Sequence, residues 1–209
     1  MSIKCLEKGI YEWQQSSEKE IDESQIIKIK ESESDFLDLL GATYCNIGNL
    51  LKAEEFWLKS LKIRQNLFGG AAITLSNLGV FHKNMGNLQK TEEFFTTALK
   101  THRSCFTEKF SEEAMYLNNL GMLYENMGNL QKSEDFLLKS LKMYRSLFGE
   151  NHMDVATLLN NLGLLYKRLG NLEKAEEFLM KALKIRQNIF GELHLEIADS
   201  MNNLGSFYK

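Results

Sequence analysis

A block of about 42 residues recurs along this chain and restricts the folds open to it more than any other property. Leu-Gly pairs mark the blocks and begin at Leu40, Leu78, Leu120, Leu162 and Leu204. The spacings between these pairs are 38, 42, 42 and 42 residues, and Gly-Asn pairs keep the same intervals. Because a block of this size cannot bury its apolar face alone, such blocks stack on one another. The sequence therefore predicts a series of similar packed units.

Each block resolves into two helices joined by a short turn, and residues 153–194 serve as the template. Helical spacing relates the apolar residues of the first half, which are Val155, Leu158, Leu159, Leu162, Tyr166 and Leu169. Gly170 then ends the first helix, and Asn171 is a suitable N-cap for the second. One face of the second helix, which ends at Gly191, carries Leu172, Ala175, Phe178, Leu179, Ala182, Leu183 and Ile189. The pattern predicts a helical hairpin.

A glycine in the middle of each first helix, such as Gly163, costs about 1 kcal/mol relative to alanine. Its regular recurrence predicts that another helix packs closely at this level, where a side chain would interfere. Small residues recur on the second helix, at Ala53, Thr91, Ser133 and Ala175 and again at Ser60, Ala98, Ser140 and Ala182. We expect these small residues to form the other side of the close contact.

The chain resembles the tetratricopeptide repeat family over about residues 35–209. The residues that carry the resemblance are the Leu-Gly pair, the two small residues of the second helix, and an aromatic slot with Tyr44, His82, Tyr124, Tyr166 and Tyr208. The 42-residue period and the linkers FGENHMDVA and FGELHLEIA are similar to repeats of the kinesin light chain type. The resemblance implies an all-α fold, a right-handed α-solenoid of stacked antiparallel helical hairpins. It also implies that partner peptides bind in a concave groove lined by the first helices.

The repeats define the expected domain organisation. Residues 1–34 do not fit the pattern, and we expect a partly flexible segment in which Leu6, Ile10 and Trp13 form a possible capping helix. The solenoid follows at residues 35–209, with repeats at about 35–70, 71–110, 111–152 and 153–194 and a half repeat at 195–209. Because the linker from Phe68 is shorter than its counterparts, the first helix of the second repeat should be shortened.

Charge and composition argue against several classes of partner. The net charge of -3 gives no basic surface for nucleic acid or for an anionic membrane. No apolar run is long enough to span a membrane, and the first residues lack a secretory signal. The three cysteines are far apart, which is atypical of a disulfide framework. These properties predict a cytoplasmic or nuclear protein without a bound cofactor.

Candidate catalytic residues have a simpler structural interpretation. Acidic pairs recur in register at Glu54-Glu55, Glu92-Glu93, Glu134-Asp135 and Glu176-Glu177. Lysines follow the second acid by four residues in three repeats, which is typical of ion pairs on a solvated helix face. His152 and His194 stand in linkers, where they help to close a turn, and no spacing typical of a metal site occurs. We expect neither an enzyme nor a metal site.

Asparagine stands directly before four of the five Leu-Gly pairs, at Asn77, Asn119, Asn161 and Asn203, off the apolar face. Carboxamides can hydrogen-bond an extended peptide backbone without demanding a particular sequence. The stripe of side chains around these asparagines is therefore the predicted peptide groove: Asn77, Val80, Lys83, Asn84, Asn119, Met122, Asn126, Asn161, Leu164, Lys167, Arg168 and Asn203. Its basic residues favour acidic ligands, although Glu125 interrupts them. Alternatively, the asparagines bond only between adjacent first helices and hold the stack together.

A second functional hypothesis concerns the C-terminal half repeat, whose first helix has no second helix to cover it. Solenoid ends normally need a polar cap. Leu204 and Tyr208 are the residues expected to form an interface there, either in a homodimer or with a further domain. In this case the chain is an assembly or regulatory solenoid rather than an adaptor for peptides.

Overall fold

The computed structural model describes residues 22–65, 67, 71–105, 110–191 and 194–207. These residues form nine α-helices and no β-strand. The helices are α1 (Glu23–Asn46), α2 (Leu50–Gln65), α3 (Ala71–Asn84), α4 (Leu88–Ser104), α5 (Phe110–Asn126), α6 (Leu130–Phe148), α7 (Met153–Arg168), α8 (Leu172–Phe190) and α9 (Leu195–Phe207). The predicted all-α fold of helical hairpins is confirmed.

The chain divides into two compact units, Met1–Phe106 and Thr107–Lys209. In the first unit, α1 pairs with α2 and α3 pairs with α4, while α2 packs against α3. In the second unit, α5 pairs with α6 and α7 pairs with α8, and the hairpins are joined by contacts of α6 with α7 and of α8 with α9. Its first helices α5, α7 and α9 also contact one another in order. Each unit is therefore a stack of hairpins.

The turn inside each hairpin has the geometry that the Gly-Asn pair predicts. Gly170 has a φ of 76°, a left-handed conformation that glycine adopts without steric cost. The Asn171 side chain then accepts a hydrogen bond from the backbone N–H of Lys174 at 3.1 Å, which caps α8. Asn87 and Asn129 cap α4 and α6 in the same way. Local sequence thus ends one helix and starts the next.

The mid-helix glycine makes room for a large side chain of the same hairpin. A Cβ atom on Gly163 would lie 2.6 Å from Cγ of Leu179 and 3.2 Å from the carbonyl oxygen of Ala175. On Gly41 it would lie 2.7 Å from the Trp57 ring. The close approach is confirmed: a large side chain fills most of the space, and the small residue Ala175 takes part through its carbonyl oxygen. The recurring small residues of the second helices are buried.

Helix α1 crosses the boundary that the sequence placed at residue 34. It begins at Glu23 because Asp22 forms a capping box with Gln25: the Asp22 carboxylate accepts from the Gln25 backbone at 2.9 Å, and the Gln25 side chain accepts from the Asp22 backbone at 3.2 Å. Glutamates and lysines, which favour helices, then offset the serines. The possible capping helix with Leu6, Ile10 and Trp13 lies outside the described residues.

The shortened helix of the second repeat is observed. Helix α3 has 14 residues, whereas its counterparts α5 and α7 have 17 and 16. Leu75, Leu78 and Phe81 of α3 are nevertheless buried, so the apolar face keeps its phase. Three residues of the template repeat depart from the expected faces, since Leu169, Leu172 and Ile189 are exposed. Each of them stands at or near the end of a helix, where fewer neighbours pack.

The linker histidines close the turns between repeats, as expected. His152 caps α7, and its Nδ1 accepts a hydrogen bond from the backbone N–H of Asp154 at 3.3 Å. Its ring also stacks on Phe148, with the ring centroids 4.4 Å apart. Phe190 and His194 stack in the same manner at 4.1 Å. The phenylalanine and the histidine of each of these two linkers thus form an aromatic pair.

Candidate functional site

The predicted groove residues all lie on first helices and have partly or fully exposed side chains. In the first unit, α3 carries Asn77, Val80, Lys83 and Asn84. In the second unit, α5, α7 and α9 carry Asn119, Met122, Asn126, Asn161, Leu164, Lys167, Arg168 and Asn203. Because α5, α7 and α9 contact one another in order, their exposed residues form one surface, which we term the first-helix stripe of the second unit.

Two asparagines of this stripe donate hydrogen bonds to the preceding repeat. The Asn161 Nδ2 lies 3.3 Å from Oδ1 of Asn118, and the Asn203 Nδ2 lies 2.9 Å from Oδ1 of Asn160. The second asparagine of each Asn-Asn pair therefore bonds to the first asparagine of the pair before it. This geometry supports a role for the amides in joining adjacent first helices. A carboxamide has two N–H donors, so one such bond does not use its full capacity.

One basic residue of the stripe, Arg168, is less available to a ligand than the sequence suggests. Arg168 Nη1 lies 2.9 Å from the carbonyl oxygen of Glu125 and 3.1 Å from Oε1 of its carboxylate. The Glu125 side chain is only 11% exposed, so this pair is a link between α5 and α7. A buried carboxylate that holds the guanidinium weakens its attraction for an external anion. Arg168 is better described as a bridge between repeats than as an acid-binding residue.

A buried polar cluster joins the first two repeats, and the sequence analysis did not identify it. Asp38, whose side chain is 14% exposed, has the repeat position that asparagine has in the third and fourth repeats. Arg64 Nη2 lies 3.1 Å from Oδ2 of Asp38, and Thr74 Oγ1 donates to the same oxygen at 3.0 Å. In the sequence, the signal for this cluster is the aspartate at a position where the third and fourth repeats have asparagine.

Burial raises the pKa of the Asp38 carboxyl above its usual value. Hydrogen bonds with Ser60 and Thr74 and the charge of Arg64 act in the opposite direction, but they do not fully offset the loss of solvent. Arg64 is therefore important for keeping this carboxylate ionised inside the first unit.

The aromatic slot of each repeat stacks on a phenylalanine of its own hairpin. Tyr166 stacks on Phe178 with ring centroids 5.4 Å apart, and His82 stacks on Phe94 at 5.3 Å. Burial lowers the pKa of His82, which favours its neutral form. Histidine therefore replaces tyrosine here as an aromatic ring.

Two of the first acids in the acidic pairs, Glu54 and Glu134, have a role that the sequence did not reveal. The Tyr166 hydroxyl donates a hydrogen bond to the Glu134 carboxylate of the preceding repeat, and the Oε1 of Glu54 lies 3.3 Å from Nε2 of His82. The pKa of Tyr166 is raised to about 12, mainly by burial and further by the hydrogen bond and the negative charge of Glu134. Two of the second acids form the predicted i,i+4 pairs, with Glu55 2.6 Å from Lys59 and Glu177 2.5 Å from Lys181. The first acids Glu54 and Glu134 thus lie between repeats, whereas the second acids Glu55 and Glu177 are exposed to solvent.

The last helix, α9, exposes a face that is buried in the complete repeats. Met201 is 57% exposed, whereas its counterpart Leu159 is fully buried. A Cβ on Gly205 would meet no atom within 4 Å, in contrast to the other mid-helix glycines. Leu204 of the predicted end interface is partly exposed on this face, and Tyr208 lies outside the described residues. The surface that receives a second helix is therefore open on α9.

Within the part of the chain that the structure describes, no group of three or more His, Cys, Asp and Glu side chains is placed to hold a metal ion. Among the same residues, no helix is both long enough and apolar enough to cross a membrane.

Two family models, each described as tetratricopeptide repeat, match the chain. One matches residues 111–188 and 154–209, and the other matches residues 35–72. Together the matches cover more than half of the chain. No curated protein matches the sequence.

Solved structures show the same fold. BtubC (BKLC) from P. vanneervenii is similar over 99% of this chain and 81% of its own chain, with 24% identity and a TM-score of 0.80. A Podosopora anserina protein with nearly identical TPR-like repeats of the kinesin light chain kind has 15% identity over 82% of this chain and 83% of its own, with a TM-score of 0.68. Pseudomonas aeruginosa pilF has 20% identity over 86% and 75%, with a TM-score of 0.62.

Proposed function

We propose that this chain, which belongs to the tetratricopeptide repeat family, is a non-catalytic scaffold that binds a partner peptide along its first helices. Repeats of this family generally mediate protein–protein interactions, and their proteins are generally not enzymes. The extended surfaces that stacked repeats create suit an elongated ligand. A protein or peptide partner is therefore expected inside the cell, and no cofactor is required.

This proposal depends on Asn161, at the centre of the first-helix stripe, which has hydrogen-bonding groups that the described part of the chain does not use. Asn161 makes one hydrogen bond among the described residues, to Asn118, and its side chain is partly exposed. One N–H and the amide oxygen are thus left for a peptide backbone, which needs one donor and one acceptor per residue. Met122 and Leu164 lie nearby on the same stripe and offer apolar contacts to peptide side chains.

Variants of Asn118 and Asn161 can distinguish the two interpretations of the asparagines, which are peptide binding and bonding between adjacent first helices. Asn118→Ala and Asn161→Ala each remove this bond, so both should lower the free energy of unfolding by a similar amount, about 0.5–1.5 kcal/mol. Asn161→Ala also removes a side chain of the predicted groove, to which Asn118 does not belong. We expect it to weaken peptide binding roughly tenfold, with a much smaller effect of Asn118→Ala.

The ligand for this measurement is a peptide selected on an array with the unmodified protein and then titrated by fluorescence anisotropy. Urea denaturation of both variants gives the stability change. If the two variants lost peptide affinity equally, the asparagines would serve only to join adjacent first helices. Failure of the array to yield any binder would also count against the proposal.

The exposed face of α9 supports a second candidate function, self-association through the C-terminal end. Ala198, Met201 and Gly205 are exposed there, and their counterparts in the fourth repeat are buried. An apolar face of this kind is a common protein–protein interface. Leu204→Asp should convert a dimer to a monomer in sedimentation velocity experiments, while Asn161→Ala should not. A monomeric unmodified chain at high protein concentration would exclude this function.

A further inference from the structure

Phe36 of α1 has a repeat position that is covered by the preceding second helix elsewhere in the chain. Thr74 and Ser200 have this position in α3 and α9, where they are 0% and 2% exposed, whereas Phe36 is 43% exposed. The Oγ1 of Thr74 lies 3.4 Å from Oγ of Ser60 in α2. The Nη1 of Arg186 in α8 donates a hydrogen bond to Ser200 Oγ at 2.6 Å. The position of Phe36 is therefore one that receives a second helix.

The second helices share a pattern of four residues on their buried side. A large residue is followed three positions later by a small one, next by a leucine, and three positions after that by another large residue. The four sets are Trp57, Ser60, Leu61 and Arg64; Phe95, Ala98, Leu99 and His102; Leu137, Ser140, Leu141 and Tyr144; and Leu179, Ala182, Leu183 and Arg186. The first three residues of every set are buried. Leu6, Gly9, Ile10 and Trp13, which lie outside the described residues, have the same spacing in the segment before α1, with isoleucine in place of leucine.

The chain between this segment and Phe36 has the length that a helical hairpin requires. Helix α1 begins at Glu23, after the capping box of Asp22. Thirteen positions separate Gly9 from Asp22, and thirteen separate Glu23 from Phe36. At 1.5 Å per residue each arm measures about 20 Å, and residues in a turn reach further than helical ones. A helix that runs back along α1 thus brings Gly9 to the level of Phe36.

The sizes of these two side chains also match. Gly9 has the position of Ser60, whose neighbour in the next repeat is Thr74. Phenylalanine in place of threonine needs more space, and glycine in place of serine leaves it, so the contact keeps its packing density. We infer that residues 6–13 form a further second helix, which packs on α1 and covers Phe36. The inference concerns apolar surface that the described residues leave open, and it does not depend on peptide binding along the first helices.

Trp13 can report this contact directly, because the chain has only two tryptophans. Trp57→Phe leaves Trp13 as the single tryptophan, and the second repeat already has phenylalanine at this position, Phe95. We expect acrylamide to quench Trp13 roughly fivefold more slowly in the folded chain than in the same chain unfolded in urea, since packing shields the ring from the quencher. Equal quenching rates in the two states would overturn the inference.

Two substitutions in the segment distinguish specific packing from general apolar attraction. In the Trp57→Phe chain, Gly9→Leu should raise the quenching rate of Trp13 about threefold, because the new side chain overpacks the contact with Phe36. The matched control is Lys8→Leu, which adds a leucine on the opposite side of the same segment and should leave the rate unchanged. Leucine favours a helix more than glycine does, so a loss of helix propensity cannot explain the increase. Shielding that Gly9→Leu left intact would contradict the inference.

Phe36→Asp tests the other side of the contact in the same Trp57→Phe chain. It should raise the quenching rate of Trp13 about threefold, because a carboxylate is costly to cover with apolar side chains. Leu51→Asp is the control, since Leu51 is 84% exposed on α2, and it should have no effect. Equal effects of the two variants would contradict the assigned contact. Shielding that fell on dilution of the protein would assign the contact to a second copy and would also overturn the inference.

Discussion

Replacement of Gly163 by alanine is expected to lower the free energy of unfolding by about 2 kcal/mol, because the added methyl group overpacks a finished core. A Cβ at this position would lie 2.6 Å from Cγ of Leu179 and 3.2 Å from the Ala175 carbonyl oxygen. Leu179 is buried and the other contact is backbone, so neither can move away easily. The gain in helix propensity of about 1 kcal/mol does not compensate for this clash.

Gly205→Ala is the matched control, since Gly205 has the same repeat position in α9. No atom lies within 4 Å of its would-be Cβ, and only the propensity gain of at most about 1 kcal/mol remains. Urea denaturation followed by circular dichroism gives both values. If the two variants behaved alike, the close approach of Leu179 would not be the reason for the glycine.

Arg64→Leu should destabilise the first unit by about 3 kcal/mol at neutral pH, because it leaves the Asp38 carboxylate buried without its cation. The loss of the exposed contact with Asp35, 2.5 Å from Arg64, adds little. The double variant Arg64→Leu/Asp38→Asn should recover much of the stability, since it removes the buried charge. Asparagine is also the residue that the third and fourth repeats have at this position.

The effect of Arg64→Leu should depend on pH in a defined direction. Burial already raises the folded-state pKa of Asp38 above its unfolded value, and removal of the nearby positive charge raises it further. The folded chain then takes up a proton more readily than the unfolded chain, so the stability deficit shrinks as pH falls from neutral towards about 4. Thermal unfolding of the variant and of the unmodified chain across this range measures the deficit. A deficit that grew at acidic pH would contradict the assigned role of Asp38.

The groove residues show which features of the candidate site could be predicted from the sequence. Helical spacing alone placed Asn161, Leu164 and Arg168 on one exposed stripe, and the structure puts all three there. Spacing did not reveal that Arg168 is held by Glu125 of the preceding repeat or that Asn161 bonds to Asn118. Both contacts join residues 43 positions apart, and such pairs depend on how one hairpin sits on the next.

The sequence by itself determined the local elements of this protein. Gly170 ends a helix through its positive φ and Asn171 starts the next through its own cap, and both effects act within a few residues. The tertiary structure alone decided which side chain fills the space above Gly163 and which partner Asp38, Arg168 and Glu134 find. A repeat pattern fixes the face of a helix that is buried, but the pairing of atoms across that face depends on the packed geometry of two hairpins.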